Sequence, residues 1–246
     1  MKLGIIGGSG LYALPGIESQ GQRQVMTAWG APSAPLTLGR LHGLDLVFLP
    51  RHGANHHLPP HQVNYRANIA ALADVGVKAI VATAAVGGIE YAAGTGTIVI
   101  PDQLIDYTYG REHTYSDGTQ PHPLHVDFTE PYTPSLRAAL LAAADDAGIA
   151  VRRRGVYAAT QGPRLETAAE IDRLERDGCT IVGMTGMPEA GLARELGLDY
   201  ANISLVVNAA AGRATGEITM AEIEAALAEG MGRVRSIIAA LCARFV

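Results

Sequence analysis

Several short segments carry residue types that bind anions. Gly7-Gly8-Ser9-Gly10 follows an apolar run that reads as a strand. Consecutive glycines let backbone N–H groups converge on an anion, and the Ser9 hydroxyl adds a donor. A second pattern overlaps it. Gly8-Ser9-Gly10-Leu11-Tyr12-Ala13 fits G-x-G-x-x-A, a dinucleotide fingerprint that requires a helix to begin there. Pro15-Gly16 would break that helix, and no acidic residue closes a second strand about 20 residues on. A plain tight turn is the third reading.

Arg51-His52-Gly53 follows another apolar run. An arginine fork matches phosphate geometry and His52 adds a donor, while a solvated loop fits equally well. His52, His56, His57 and His61 raise the question of a metal. The spacing between His52 and His56 suits a helical metal pair, but Pro59-Pro60 prevent a continuous helix and no cysteine is near, so no metal is expected. In Gly183-Met184-Thr185-Gly186-Met187-Pro188-Glu189, Thr185 falls near a helix N-terminus, where free N–H groups favour an anion. A simple N-cap is the alternative there. Glu166, after Gln161-Gly162-Pro163-Arg164-Leu165, either supports the next helix start or accepts N–H donors from a ligand. Asn208 ends the apolar run before Ala209-Ala210-Ala211-Gly212, where its amide can both donate and accept, or form a turn.

These residues need a scaffold that brings chain positions 9, 51, 185 and 208 together. Apolar runs predict strands at 3–6, 79–83, 97–100, 156–159, 180–184 and 201–207, and a hairpin from 36–41 and 44–49. Helical spacing predicts helices over 62–73, 135–147, 168–176 and 188–195, with one more at the C-terminus. Thr133-Pro134 reads as an N-cap and first turn, and Thr167…Glu170 and Thr219…Glu222 read as capping boxes. Alternating strands and helices over one undivided chain argue for a single α/β domain, 1–246. Its mixed, mostly parallel central sheet would have helices on both sides. Ligands of such sheets lie beyond the carboxyl ends of strands.

Composition narrows the partners. The 246 residues are 48% hydrophobic and 17% charged, too few charges for a disordered chain. A net charge of -5 argues against polymeric nucleic acid. Two cysteines, Cys179 and Cys242, make no disulfide framework, so an intracellular, cytoplasmic protein is expected. The start turns to glycine too soon for a signal peptide, and no apolar run nears the ~18 residues of a membrane span.

Taken in order, the segments resemble the trimeric purine nucleoside phosphorylases, in the branch acting on methylthio nucleosides. The resemblance covers nearly the whole chain. It rests on Gly4-Ile5-Ile6-Gly7-Gly8-Ser9-Gly10-Leu11, Arg51-His52-Gly53, Pro60-His61-Gln62-Val63-Asn64-Tyr65-Arg66-Ala67-Asn68, Gln161-Gly162-Pro163-Arg164 and Met184-Thr185-Gly186-Met187-Pro188-Glu189. It implies that Ser9, Arg51, His52 and Thr185 contact phosphate, and that backbone around Ala84-Ala85 lines the phosphate and ribose. It also implies that Met184 packs under the ribose, that Leu165, Glu166, Asn208 and Ala210 surround the base, and that Asn208 assists catalysis. His125 resembles the segment a neighbouring subunit contributes to the 5′ end, so a homotrimer or a dimer of trimers is expected. Tyr65-Arg66 carry no catalytic role. No cofactor is implied; phosphate is a co-substrate.

Several positions bear on the substrate. Methylthioadenosine-cleaving relatives carry Asp where this chain has Asn208 and Ala210. Asn can donate to a purine O6 and accept from protonated N7, and Glu166 can accept from N1–H, which only a 6-oxopurine has. Met220 and Ile223 match an apolar 5′ pocket of methylthio-specific relatives, against the alternative that both are helix core. The expected substrate is a 6-oxopurine nucleoside with a 5′-methylthio group. A general inosine and guanosine phosphorylase is the alternative, and a non-catalytic nucleotide-binding protein a remote one.

Overall fold

A computed structural model describes residues 1–90, 92–119, 122 and 124–246. Its strands are β1 (Leu3–Gly7), β2 (Glu18–Arg23), β3 (Leu36–Leu41), β4 (Leu44–Pro50), β5 (Ala79–Gly88), β6 (Ile98–Val99), β7 (Gln103–Asp106), β8 (Val156–Ala159), β9 (Ile181–Gly183) and β10 (Asp199–Ala209). Its helices are α1 (Tyr65–Asp74), α2 (Pro134–Asp146), α3 (Ala168–Arg176), α4 (Gly186–Glu195) and α5 (Met220–Arg244). All ten strands form one sheet, in the order β2-β3-β4-β1-β5-β9-β8-β7, with β10 on β5 and β6 on β10. Strand β1 runs parallel to β4 and β5, β10 parallel to β5, and β8 parallel to β7 and β9. The hairpin β3–β4 and the β5–β9 pair are antiparallel, so the sheet is mixed, as expected.

Side-chain alternation assigns the two faces. Leu3 and Ile5 of β1, Leu46 and Phe48 of β4, and Val81 of β5 join one core with α2 and α5. Ile6, Val47, Leu49, Ile80 and Ala82 face the other, with α1 and α4. On α5, Val234, Ile237, Ile238 and Leu241 recur at the spacing that puts them on one buried stripe. Both capping boxes form: Thr167 with Glu170, and Thr219 with Glu222.

Some boundaries differ from expectation. Pro60–Gln62 is a separate 3-10 turn, and α1 starts only after Asn64, whose side chain accepts from the Ala67 N–H. Thr133 stands at the N-cap of α2, but its hydroxyl accepts from Tyr200 N–H rather than from the helix. Helix α4 starts two residues early, and Met187 interrupts it with extended φ/ψ (-122°, 143°). Strand β2 was not foreseen because its residues are all exposed and carry no apolar period.

Candidate active site

A cavity of about 560 Å³ opens beyond the carboxyl ends of β1, β5, β9 and β10. It is lined by Ser9, Arg51, His52, Ala85, Leu165, Glu166, Met184, Thr185, Asn208, Ala210, Met220 and Ile223, together with other residues. Every candidate site residue is therefore gathered there except His125, which is exposed and lies outside its own chain's cavity.

At one end lies the glycine turn after β1. A Cβ on Gly8 would lie 2.5 Å from the Thr83 carbonyl and 2.9 Å from Arg51 Nη1, and Gly10 has φ +82°. No helix follows this turn, and the next element is β2, so the dinucleotide reading lacks the helix it needs. The nest is narrower than expected, because the Gly8 N–H already donates to Thr83 Oγ1 (2.9 Å). Ser9 Oγ lies 3.2 Å from His56 Nε2.

Arg51 is 1% exposed. Its Nε and Nη2 donate to the two carboxylate oxygens of Glu189 (2.7 and 2.8 Å), and Nη1 donates to the Thr83 carbonyl (2.9 Å). Tyr200 OH donates to Glu189 Oε2 (2.8 Å). Burial alone would lower the guanidinium's proton affinity. The Glu189 charge and hydrogen bonds overcome it and push the pKa above its usual value. The solvated-loop reading of Arg51 does not hold. Glu189, although part of a noted motif, had no expected role.

Burial pushes the His52 imidazole from its usual 6.5 down to about 4, and the Arg51 charge adds to this against an opposing Leu58 carbonyl. The neutral ring donates from Nδ1 to that carbonyl (2.8 Å), which leaves Nε2 as an acceptor. His52 thus offers a lone pair rather than the expected donor. His52 and His56 meet edge to face at 4.9 Å. Among the described residues no group of three or more His, Cys, Asp or Glu could hold a metal ion.

Thr185 sits at the N-cap of α4 with no side-chain capping bond, so the simple cap reading is not realised. At the other end, Asn208 follows a β-bulge: the pairing of β10 with β5 shifts register between Val206 and Asn208. One Asn208 amide hydrogen donates to the Ala209 carbonyl (2.7 Å), so Oδ1 and the second N–H remain for a ligand. Glu166 Oε1 accepts from Thr160 Oγ1 (2.7 Å). Met220 is 66% exposed at the first position of α5, which rules out the core reading for its side chain. Ile223 is half-buried and does pack on the core. Ile218, Leu58 and Pro60 also line the space, and none of them had an expected role there.

The chain belongs to the phosphorylase superfamily, whose family pattern matches residues 2–243. It is 56% identical over 235 residues, covering 96% of each chain, to "Probable S-methyl-5'-thioinosine phosphorylase" of Pseudomonas syringae pv. tomato. It is 45% identical to "6-oxopurine nucleoside phosphorylase" of Pyrococcus furiosus, over 90% of this chain and 84% of that one. A solved methylthioadenosine phosphorylase from Schistosoma mansoni, in complex with adenine, superposes with a TM-score of 0.95. It is 33% identical and covers 100% of this chain and 92% of its own.

Proposed function

We propose that the protein splits S-methyl-5′-thioinosine with inorganic phosphate, giving hypoxanthine and 5-methylthioribose 1-phosphate. The observation that carries this is that one cavity gathers Ser9, Arg51 and Thr185, which this reading assigns to phosphate, Glu166 and Asn208, assigned to the base, and Met220 and Ile223, assigned to the 5′ group. The names of the similar proteins from Pseudomonas syringae pv. tomato and Pyrococcus furiosus support it.

In this reading the C1′–N9 bond breaks and its electron pair leaves with the purine. A phosphate oxygen bonds to C1′, and the purine takes a proton from solvent at N7. Asn208 Oδ1 accepts that N7–H while its amide donates to O6, and Glu166 accepts from N1–H. Phosphate also serves as counter-charge to the cationic ribosyl group, while Met184 and the backbone at Ala85 line the sugar. Leu165 and Ala210 close the base end. No metal or organic cofactor takes part. Neither nucleic acid polymers nor membranes are partners in this reading, and the protein works in the cytoplasm. His125 reaches a neighbouring subunit of a homotrimer or dimer of trimers.

The test is kcat/KM for methylthioinosine, inosine and methylthioadenosine, each with and without phosphate. Phosphate-dependent hypoxanthine release, fastest from methylthioinosine, is expected. Absence of phosphate dependence overturns the reading.

A further inference from the structure

Arg111 takes no part in the reaction just described, yet it is only 8% exposed beside the cavity. Its Nε donates to Gln161 Oε1 (3.0 Å). Nη1 donates to the carbonyls of Met184 (2.8 Å) and Met187 (2.7 Å) and lies 3.3 Å from the Tyr65 hydroxyl oxygen. Nη2 donates to the carbonyls of Thr160 (3.2 Å) and Gln161 (2.7 Å). The guanidinium also lies 5.4 Å from the centre of the Tyr65 ring. None of these acceptors is a carboxylate, so the cation is not there to neutralise a buried anion.

The acceptors come from three segments that each lead into the cavity. Thr160 holds the Glu166 carboxylate through its hydroxyl. The carbonyls of Met184 and Met187 bracket Thr185. Tyr65 OH donates to the carbonyl of Pro60, a lining residue (2.8 Å). A rigid guanidinium plane can span all three segments, whereas a lysine ammonium cannot.

We propose that Arg111 is a positioning residue that sets the spacing between Glu166 at the base end and Met184 and Thr185 at the sugar and phosphate end. This rests on the phosphorolysis reading. A reacting group displaced by about 1 Å loses on the order of 100-fold in rate.

Arg111→Ala and Arg111→Lys are assayed with methylthioinosine and phosphate, with and without guanidinium ion below denaturing concentration. Wild type is run alongside. Both variants are expected to lose on the order of 100-fold in kcat. Guanidinium restores at least about tenfold of it to Arg111→Ala. Tetramethylammonium, which has the charge but no donors, restores none, and Arg111→Lys is not rescued because its own side chain fills the space. The proposal is overturned if folded Arg111→Ala keeps kcat within about threefold, or if its loss resists guanidinium. If the alanine variant does not fold, a folded lysine variant with kcat within about threefold of wild type overturns it. An inactive wild type would count against the phosphorolysis reading itself. A guanidinium-dependent rise in the melting temperature of Arg111→Ala still reads whether that seat exists.

Discussion

Met220→His separates a methylthio-selective site from a general 6-oxopurine one. Met220 is the first residue of α5, but the capping box there is made by Thr219 and Glu222, so the substitution leaves the helix start intact. A methylthio group shielded by Met220 and Ile223 gains about 0.8 kcal/mol per methylene-sized group buried. A 5′-hydroxyl against the same surface loses water at about 1–3 kcal/mol, and a rim that leaves Met220 66% exposed keeps that cost at the low end. The preference for methylthioinosine over inosine is then about 2–3 kcal/mol, on the order of 30–150-fold in kcat/KM. A histidine at a helix N-terminus stays neutral against the dipole and offers the hydroxyl a partner. It should shrink the ratio about tenfold, mainly by raising inosine turnover. The assay is purine release from both nucleosides at saturating phosphate. A wild-type ratio near one, or a ratio the variant leaves unchanged, refutes the reasoning.

Three other outcomes follow from the site's geometry. Arg51→Ala strands the Glu189 carboxylate in the interior and should cost about 3–5 kcal/mol in urea unfolding, with Arg51→Met/Glu189→Gln recovering part of it; equal stability of the two variants would count against the buried pair. Asn208→Asp should move the ratio of methylthioinosine to methylthioadenosine turnover towards the 6-amino purine, and an unchanged ratio would remove Asn208 from base recognition. His52 is held neutral in the fold, so its contribution to stability is present above about pH 6.5 and is lost as pH falls towards about 4. Unfolding curves for His52→Gln should be flatter than wild type across that window, and parallel curves would refute the assignment.

Much of this fold was legible because β1, β4 and β5 are apolar on both faces and the capping boxes carry a local signature. The glycine turn was legible too, since Gly8 and Gly10 are demanded by close approach and by φ. What stayed hidden depends on long-range contact. Nothing near Gly110-Arg111-Glu112 in sequence reveals that its guanidinium will meet carbonyls at 160, 161, 184 and 187. The role of Glu189 is invisible until β10 brings Tyr200 beside it and the β4 end brings Arg51. The bulge before Asn208 is likewise a property of its pairing with β5. The expected His52 donor proved an acceptor because the Leu58 carbonyl, six residues away across a loop, selects the tautomer.

The ion pair between Arg51 and Glu189 joins positions 138 residues apart, and Thr83 and Tyr200 complete the same chain of bonds. Its partners come from the residue after β4, the middle of β5, the first turn of α4 and the start of β10, so no contiguous fragment contains this cluster. Such non-local contacts carry a loop-closure cost that is offset only once the sheet around them is assembled. An anion seated there therefore recognises the finished sheet alone and opposes global unfolding rather than local fraying. At a hundredfold excess over its dissociation constant, that mass action amounts to about 2.7 kcal/mol. In the proposed reading that anion is the phosphate co-substrate, so the chain's resistance to unfolding is expected to follow the phosphate concentration around it.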